Sequence, residues 1–186
     1  MAEQRILDAA IEEYLACGAA GFTMDGVARR AGVGKSTVYL RWPDKETLLV
    51  ESVAARSGSI EDVDTGSLRD DLVELASNLM RFLLDPVGFA GLRVAVESVG
   101  TGTHQRVSSR ITEQHYQAAI QVFDRARARG EKIDEDDLLL LTECIYGAVT
   151  MKVIRRGLDG PHPPDDLDIR ETCARMVDRL LPVLKR

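Results

Sequence analysis

The spacing of the apolar residues is the feature that most restricts the fold of this chain. Leu, Ile, Val and aromatic residues recur at three- and four-residue intervals along almost the whole length, and no segment alternates polar and apolar residues for long. This interval places apolar side chains on one face of an α-helix, whereas a half-buried strand needs strict alternation. The sequence therefore predicts an all-α protein.

The N-terminal part of the chain carries start and stop signals for short helices. The first helix, at residues 3–17, ends at Gly18, and the second begins at the N-cap Thr23 and ends at Gly32. A short turn that contains glycine lets two helices cross steeply. Residues 23–46 are therefore expected to form a helix-turn-helix unit.

The third helix of this unit is predicted at residues 35–41. Pro43 prevents its simple continuation, and Asp44 is a suitable N-cap for a fourth helix. Within the third helix Val38 is the expected core contact. The other residues of this segment are left for the surface.

A stretch rich in Gly, Ser and acidic residues at 57–66 predicts a domain boundary near Ile60. A helix-turn-helix domain would cover residues 1–55, and a second helical domain residues 60–186. One helix of the second domain, at residues 135–156, is apolar on more than one face. One of its faces can pack on its own core and another on a partner.

The charge of the chain is unevenly distributed. The net charge of −6 disfavours nucleic acid as a partner when it is considered alone. Five bases and one acid lie between Arg29 and Lys45, a local charge of +4 that leaves −10 for the rest. This distribution fits DNA binding through one local patch, although a short basic run can also be plain solvated surface.

Two motifs carry a family resemblance. GFTMDGVA at residues 21–28 and AGVGKSTVYLRWPDKETLL at residues 31–49 resemble the tetracycline-repressor (TetR) family, and the match extends over about residues 6–53. Their combined order and spacing are far more specific than any single element. The resemblance implies an N-terminal three-helix domain joined through a fourth helix to a C-terminal helical bundle, which binds a small-molecule effector and forms a homodimer.

The resemblance also assigns roles to individual residues. Residues 35–41 would be the recognition helix, and the candidates for reading bases in the major groove are Lys35, Ser36, Thr37, Leu40 and Arg41. Lys and Arg donate to guanine, Ser and Thr adapt to several bases, and apolar groups contact the thymine methyl. The positions that contact phosphates in the family are Thr23, Tyr39 and Lys45.

Three positions depart from the family pattern. The family often has Phe where this chain has Trp42, which is either a DNA contact or a packing residue between the third and fourth helices. At Arg41 the family often has His or Tyr, so this arginine either contacts a phosphate or is solvated. Gly26 replaces a common Asp or Glu and weakens its helix by about 1 kcal/mol relative to alanine. Nothing in the sequence explains that glycine.

The resemblance places an effector pocket and a dimer interface in the second domain. Bulky residues in the middle of helices are candidates for the pocket, although plain core is the more usual role of such positions: Met80, Phe82, Phe89, Leu92, Tyr116, Phe123 and Tyr146. Candidate polar anchors are Arg93, Glu97 and His104. The interface is expected from the last two long helices, at about residues 135–156 and 168–184.

The sequence offers no catalytic constellation and predicts neither an enzyme nor a metal or other cofactor. His104 and His115 return to nearly the same helical face, but three turns separate them, which is too far for one ion. His162 has no suitable neighbour either.

The cysteines and the apolar runs bear on the cellular location. The three cysteines form no CxxC pair and are expected to be buried, reduced thiols: Cys17, Cys144 and Cys173. No segment resembles a signal peptide or a membrane span. The expected location is therefore the cytoplasm.

The leading hypothesis is a one-component transcriptional regulator, a repressor that binds a palindromic DNA operator as a homodimer and is released by a small molecule. The alternative is a helical ligand- or partner-binding module without direct DNA binding. The surroundings of residues 35–45 discriminate between them. Exposed positive charge there favours DNA, and charge neutralised by neighbouring acids favours the module.

Overall fold

The computed structural model describes residues 2–55, 63–99, 105–131, 134–159 and 165–182. All regular structure in these ranges is helical, so the predicted all-α class is confirmed. The helices in chain order are α1 (Ala2–Gly21), α2 (Met24–Ala31), α3 (Lys35–Tyr39), α4 (Lys45–Ala54), α5 (Leu68–Leu84), α6 (Pro86–Ser98), α7 (Gln105–Ala128), α8 (Glu135–Asp159) and α9 (Asp166–Leu180). In the described ranges, none of the helices has the length and apolar character needed to cross a membrane.

The chain divides into two compact units. The first contains Met1–Gly58 and Asp85–Thr112, and the second contains Ser59–Leu84 and Glu113–Arg186. Helix α6 belongs to the first unit and packs on α1 and α4, although it follows the boundary that composition predicts near Ile60. The periodicity of a helix shows that one face is buried, but not which helix covers it.

Helix α1 lies at the centre of the first unit. Its buried residues Ile6, Ala10 and Tyr14 recur at four-residue intervals and share one face, and α1 packs on α2, α4 and α6. The ring of Tyr14 meets that of Phe22 edge to face, with 5.8 Å between the ring centroids. The other helices contribute Val27, Val38, Trp42, Leu48, Leu49, Val53, Val87, Ala90 and Val94 to this core.

Side-chain caps begin the helices where the sequence predicts them. Thr23 and Asp44 each accept a hydrogen bond from the backbone N–H three residues later, at 3.0 and 2.7 Å. Each oxygen satisfies one of the donors that a first helical turn leaves free. The predicted end of α1 is less simple. Gly18 has φ 67°, yet the helix resumes and extends to Gly21, so the predicted stop is a kink inside a longer helix.

In the second unit, α5, α8 and α9 pack on one another. Their apolar residues follow the predicted helical intervals. The core includes Leu72, Leu75, Ala76 and Leu79 of α5, Val122 and Phe123 of α7, Leu141, Ile145 and Val149 of α8, and Ile169, Cys173 and Val177 of α9.

A buried carboxylate fixes the first turn of α5. The Asp71 side chain is 0% exposed and accepts hydrogen bonds from the backbone and hydroxyl of Thr65 and from Arg129, at 2.6, 2.7 and 2.7 Å. Burial alone would raise the pKa of Asp71, but these hydrogen bonds outweigh it and hold the pKa below its ordinary value.

Helix α8 has two apolar faces, as the sequence predicts. Leu141, Ile145 and Val149 are buried within the unit. A second stripe, at intervals of three and four residues, is exposed or only partly buried, and we call it the α8 stripe: Leu140, Cys144, Gly147, Met151 and Ile154. Met151 is 62% exposed.

All three cysteines are free thiols, but their expected burial is correct only for Cys173. Cys144 is partly buried, and Cys17 is exposed. Cys17 lies in the last turn of α1 before the kink. Its neighbour there is Glu13, whose Oε1 lies 3.8 Å from the Cys17 sulfur, and not the apolar core.

Candidate nucleic-acid interface

The turn between α2 and α3 exposes nearly all of the third helix. Gly32 ends α2 in the left-handed conformation, with φ 64° and ψ 38°, which glycine adopts without steric cost. Of residues 35–41, Val38 alone is buried, and its side chain holds the segment on the core. The helical part ends at Tyr39, two residues earlier than predicted, and the next residues form a turn.

The exposed face combines polar and apolar groups. Ser36, Thr37 and Tyr39 are exposed, and Leu40 is 87% exposed. Hydroxyl groups that donate and accept hydrogen bonds therefore lie beside a large apolar side chain that is exposed to solvent. Major-groove base edges offer both kinds of partner.

Two of the predicted phosphate contacts lie close together. The Thr23 hydroxyl oxygen accepts the capping hydrogen bond, which leaves its O–H able to donate elsewhere. Lys45 Nζ lies 3.4 Å from the carbonyl oxygen of Phe22, the residue before Thr23. In the described part of the chain no carboxylate pairs with Lys45.

Trp42 is a packing residue between α3 and α4. Its side chain is 2% exposed, and its indole N–H donates to Glu51 Oε2 at 2.6 Å. A side chain that is buried and hydrogen-bonded in this way is not available to DNA. This corrects the inclusion of Trp42 among the DNA contacts and supports the packing alternative.

Residues 35–41, here called the recognition segment, carry two cations, and both are paired with acids from other helices. Lys35 forms an ion pair with Asp25 of α2, and Arg41 Nη1 lies 2.7 Å from Glu3 Oε2 of α1. All four side chains are largely solvated. Exposed positive charge was expected to favour DNA, and neutralised charge to favour a binding module. The result is mixed, because acids neutralise Lys35 and Arg41, whereas no carboxylate among the described residues pairs with Lys45.

The structure explains Gly26, which nothing in the sequence accounts for. A Cβ at this position would lie 2.1 Å from Oε1 of Glu13, a buried carboxylate on α1. Glu13 Oε2 accepts from Arg30 Nε at 2.9 Å, and this pair joins α1 to α2. Sequence reasoning missed Glu13, and the glycine near the start of a helix was the one signal for it.

Arg93 and Glu97, predicted as pocket anchors, instead hold α6 on α1. Glu97 accepts from the Tyr14 hydroxyl at 2.7 Å and from the Ala19 backbone at 3.1 Å, while Arg93 donates to Glu97 and to the Leu15 carbonyl. The Tyr14 hydrogen bond is the largest effect that lowers the pKa of Glu97. Burial is the largest effect that raises the pKa of Tyr14, and the hydrogen bond to Glu97 raises it further.

The candidate pocket residues fall into both units. Phe89 and Leu92 of α6 belong to the first, and Phe89 is 44% exposed. The members in the second unit range from buried to half-buried: Met80, Phe82, Tyr116, Phe123 and Tyr146. Burial raises the pKa of Tyr146, and the Tyr116 phenol raises it further.

A surface depression of about 360 Å³ in the second unit is lined by none of the candidate pocket residues. Its lining comes from α8 and α9, namely Lys152, Thr172, Arg175, Met176, Asp178 and Arg179. Within the described ranges, no three His, Cys, Asp or Glu residues are arranged to hold a metal ion. His104, His162 and the side chain of His115 lie outside the described part.

The helix-turn-helix with an exposed third helix, followed by a helical second unit, defines a class of DNA-binding transcriptional regulators. Two family models match the chain. The one described as "Bacterial regulatory proteins, tetR family" matches residues 6–52, and "Tetracyclin repressor-like, C-terminal domain" matches residues 62–178. The chain belongs to the TetR family of transcriptional regulators, whose members bind DNA and typically form dimers.

Individual relatives agree with this assignment. The HTH-type transcriptional regulator AqdR of Rhodococcus erythropolis is 30% identical over 159 residues, which cover 85% of this chain and 77% of AqdR. The DNA-binding transcriptional repressor TetR of Mycobacteroides abscessus is 30% identical over an alignment of 190 residues, which covers 97% of this chain and 92% of that repressor. Both relatives are transcriptional regulators by name.

Solved structures share the fold over nearly the whole chain. The transcriptional regulator FadR of Bacillus subtilis, solved in complex with stearoyl-CoA, superposes with a TM-score of 0.74 and covers 95% of this chain and 96% of its own. Its sequence identity is 18%, so the comparison concerns the fold alone.

Proposed function

We propose that this regulator is a repressor that binds a palindromic operator as a homodimer and releases it when a small molecule binds the second unit. The observation that supports DNA reading most directly is the exposed recognition segment, above all Leu40. An apolar side chain with 87% of its surface in water gains free energy when a partner covers it. A thymine methyl in the major groove is a suitable partner.

The predicted DNA contacts divide into two roles in this proposal. Thr23, Tyr39 and Lys45 bind phosphates and set the position of the protein on the duplex. The base readers are Lys35, Ser36, Thr37, Leu40 and Arg41. Trp42 is left out because its side chain is buried.

The proposed dimer forms through α8 and α9. The exposed α8 stripe supports this, because its intervals of three and four residues suit helix packing against a second copy, and Gly147 allows close approach. A two-fold dimer would present two recognition helices to successive major grooves, about 34 Å apart. The inverted repeat of a palindromic operator matches that symmetry.

Release of the operator would pass through α6. This helix follows α5 after the single residue Asp85 and is hydrogen-bonded through Glu97 to Tyr14 and Ala19 of α1. An effector that binds more tightly to the arrangement unsuited to DNA shifts the population by its differential affinity. The functional boundary near residue 60, with domains at 1–55 and 60–186, remains part of this proposal.

The proposed effector is an apolar or amphipathic organic molecule. The side chains offered for its site in the second unit are apolar or phenolic: Met80, Phe82, Tyr116, Phe123 and Tyr146. FadR of Bacillus subtilis, which has a similar fold, was solved with stearoyl-CoA, a molecule of this kind. Phe89 and Leu92 belong to the first unit, and their role in the pocket stays a prediction.

The alternative, a binding module without direct DNA contact, is disfavoured. Membership of a DNA-binding family argues against it, and Lys45 and the exposed base readers fit the DNA role better. The acid partners of Lys35 and Arg41 were the one observation in its favour, and a role for them in DNA binding is given below.

Selection of duplexes from a random pool by the full chain, followed by fluorescence anisotropy at defined KCl concentrations, tests the proposal. Enrichment of inverted repeats is expected. Lys45→Ala should weaken binding to every duplex and reduce the salt slope by about 1.8, because the homodimer loses two phosphate contacts of about 0.9 each. Arg127→Ala is the control, because Arg127 is a cation of the second unit that lies on α7, outside the proposed dimer interface. Absence of any enriched duplex, or identical binding by Lys45→Ala and wild type, would refute the proposal.

A further inference from the structure

The recognition segment approaches DNA with two of its cations already bound to carboxylates. Asp25 of α2 pairs with Lys35, and Glu3 of α1 lies 2.7 Å from Arg41. The acids come from two different helices and lie 10 and 38 residues from their partners in sequence. Lys45, a predicted phosphate contact at the start of α4, has only the Phe22 carbonyl as a partner in the described part of the chain.

These pairs add little to the stability of the first unit. Their side chains are between 45% and 65% exposed, and solvent and salt screen ion pairs of this kind strongly. The helices that carry the acids are held by the core, through Ile6 on α1 and Val27 on α2. The placement of two carboxylates on the face that meets DNA therefore calls for another explanation.

A phosphate and a carboxylate compete for the same cation. When the recognition segment approaches an arbitrary duplex, Lys35 and Arg41 gain a phosphate only by giving up Asp25 and Glu3, and the freed carboxylates are repelled by the backbone. On a cognate site the same cations gain base edges, and Arg41 can donate two parallel hydrogen bonds to guanine. The exchange is therefore favourable at the cognate sequence and close to neutral elsewhere.

We propose that Glu3 and Asp25 are specificity-determining residues, which suppress binding to unrelated DNA by holding Arg41 and Lys35 until base contacts replace them. This inference rests on the proposed placement of residues 35–41 in the major groove. It also accounts for the mixed result above, since partial neutralisation of the segment favours selective DNA binding and does not exclude DNA.

The size of the effect follows from counterion release. Each additional cation that neutralises a phosphate steepens the dependence of log affinity on log salt by about 0.9, which is about a fivefold gain in affinity at 0.15 M salt. A substitution removes one acid from each protomer, so the dimer should gain two such contacts on unrelated DNA, with a slope steeper by about 1.8 and an affinity about 25-fold higher. On the cognate duplex the cation is already engaged with bases, so the gain should be smaller.

The experiment compares Glu3→Gln and Asp25→Asn with wild type on two duplexes: one selected in vitro by the wild-type chain, and a scrambled duplex of the same length and composition. Glu12→Gln is the matched control. Glu12 also lies on α1, and it is about as exposed as Glu3 and pairs with an arginine outside the recognition segment, Arg30. Thermal unfolding of each variant confirms that it is folded.

Each acid variant should bind the scrambled duplex about 25-fold more tightly, with a salt slope steeper by about 1.8, and its ratio of selected to scrambled affinity should fall. Glu12→Gln should leave that ratio unchanged. An unchanged ratio in both acid variants overturns the inference, and so does an equal fall in Glu12→Gln, which would reflect net charge alone. If the wild-type chain selects no duplex at all, the proposed function fails, and the inference fails with it.

Discussion

At the scale of single residues, Gly26 and Glu13 act as one unit. The glycine leaves the space that the buried carboxylate occupies, and the carboxylate uses that space to reach Arg30. The helix loses about 1 kcal/mol of propensity at Gly26 relative to alanine. This loss is offset by the ion pair between the buried Glu13 of α1 and the partly exposed Arg30 of α2.

The effect of Gly26→Ala on the unfolding free energy should therefore change sign with the residue at position 13. In the wild-type background the added Cβ displaces the Glu13 carboxylate from Arg30, and we expect a loss of about 1 to 2 kcal/mol in unfolding free energy. In a Glu13→Ala background the same substitution should stabilise the chain by about 1 kcal/mol through helix propensity. Urea unfolding of the four variants measures both effects. The same sign in both backgrounds would contradict this interpretation.

The indole of Trp42 gives a second test at this scale. Glu51→Ala leaves a buried N–H without its acceptor, which should cost about 1 to 3 kcal/mol. In a Trp42→Phe background no N–H remains to be satisfied, so the same change should cost much less. Chemical unfolding of the two single variants and the double variant gives the coupling between the side chains. Additive losses would show that the hydrogen bond at 2.6 Å does not matter for stability.

At the scale of helices, local signals were predictable and distant partners were not. The capping residues Thr23 and Asp44 act within three residues of themselves, and both were predicted correctly from sequence. The exposure of the recognition segment followed from its single core residue, Val38. Glu97 was predicted as a pocket anchor, and its true partner Tyr14 lies 83 residues away. No periodicity in a single sequence links positions so far apart.

The start of α5 gives a pH-dependent prediction. Because hydrogen bonds hold the pKa of Asp71 below its unfolded value of about 3.9, its contribution to stability is complete above that pH and is lost as the pH falls through the folded pKa. Asp71→Asn should lower the unfolding free energy by about 3 kcal/mol at pH 7. The difference from wild type should narrow below about pH 4.

Unfolding measured from pH 7 to pH 2 or so checks this. Asp64→Asn is the control, because Asp64 also pairs with Arg129, at 3.3 Å, but is exposed. This variant should differ from wild type by no more than about 1 kcal/mol at any pH. Parallel profiles for wild type and Asp71→Asn would show that Asp71 does not carry the acid sensitivity of this helix start.

At the scale of the whole molecule, the proposed dimer depends on the α8 stripe. The buried face of α8 accounts for its packing in the second unit, and the exposed face with Leu140, Met151 and Ile154 does not contribute to that packing. An exposed apolar stripe along a helix favours association with a partner. A second copy of the chain is the occupant that family membership supports.

Met151→Glu should therefore produce a monomer, because dimerisation would bury the new charge. Sedimentation velocity should show the loss of the dimer, and affinity for an inverted repeat should fall by about 100-fold or more, since each half-site would then bind alone. Met151→Leu keeps the apolar surface and should behave as wild type. A Met151→Glu variant that stays dimeric would exclude this face as the interface.

The hydrogen bonds between α6 and α1 also limit how such a regulator can be recombined. The C-terminal family model begins at residue 62, ahead of α6, yet Glu97 of α6 accepts hydrogen bonds from Tyr14 and Ala19 of α1. A chimaera joined near residue 60 would bring a foreign α6 against this α1 and leave the Tyr14 hydroxyl facing an unmatched surface. Exchange of sensing domains between regulators of this kind therefore requires the α1 face to be transplanted together with α6.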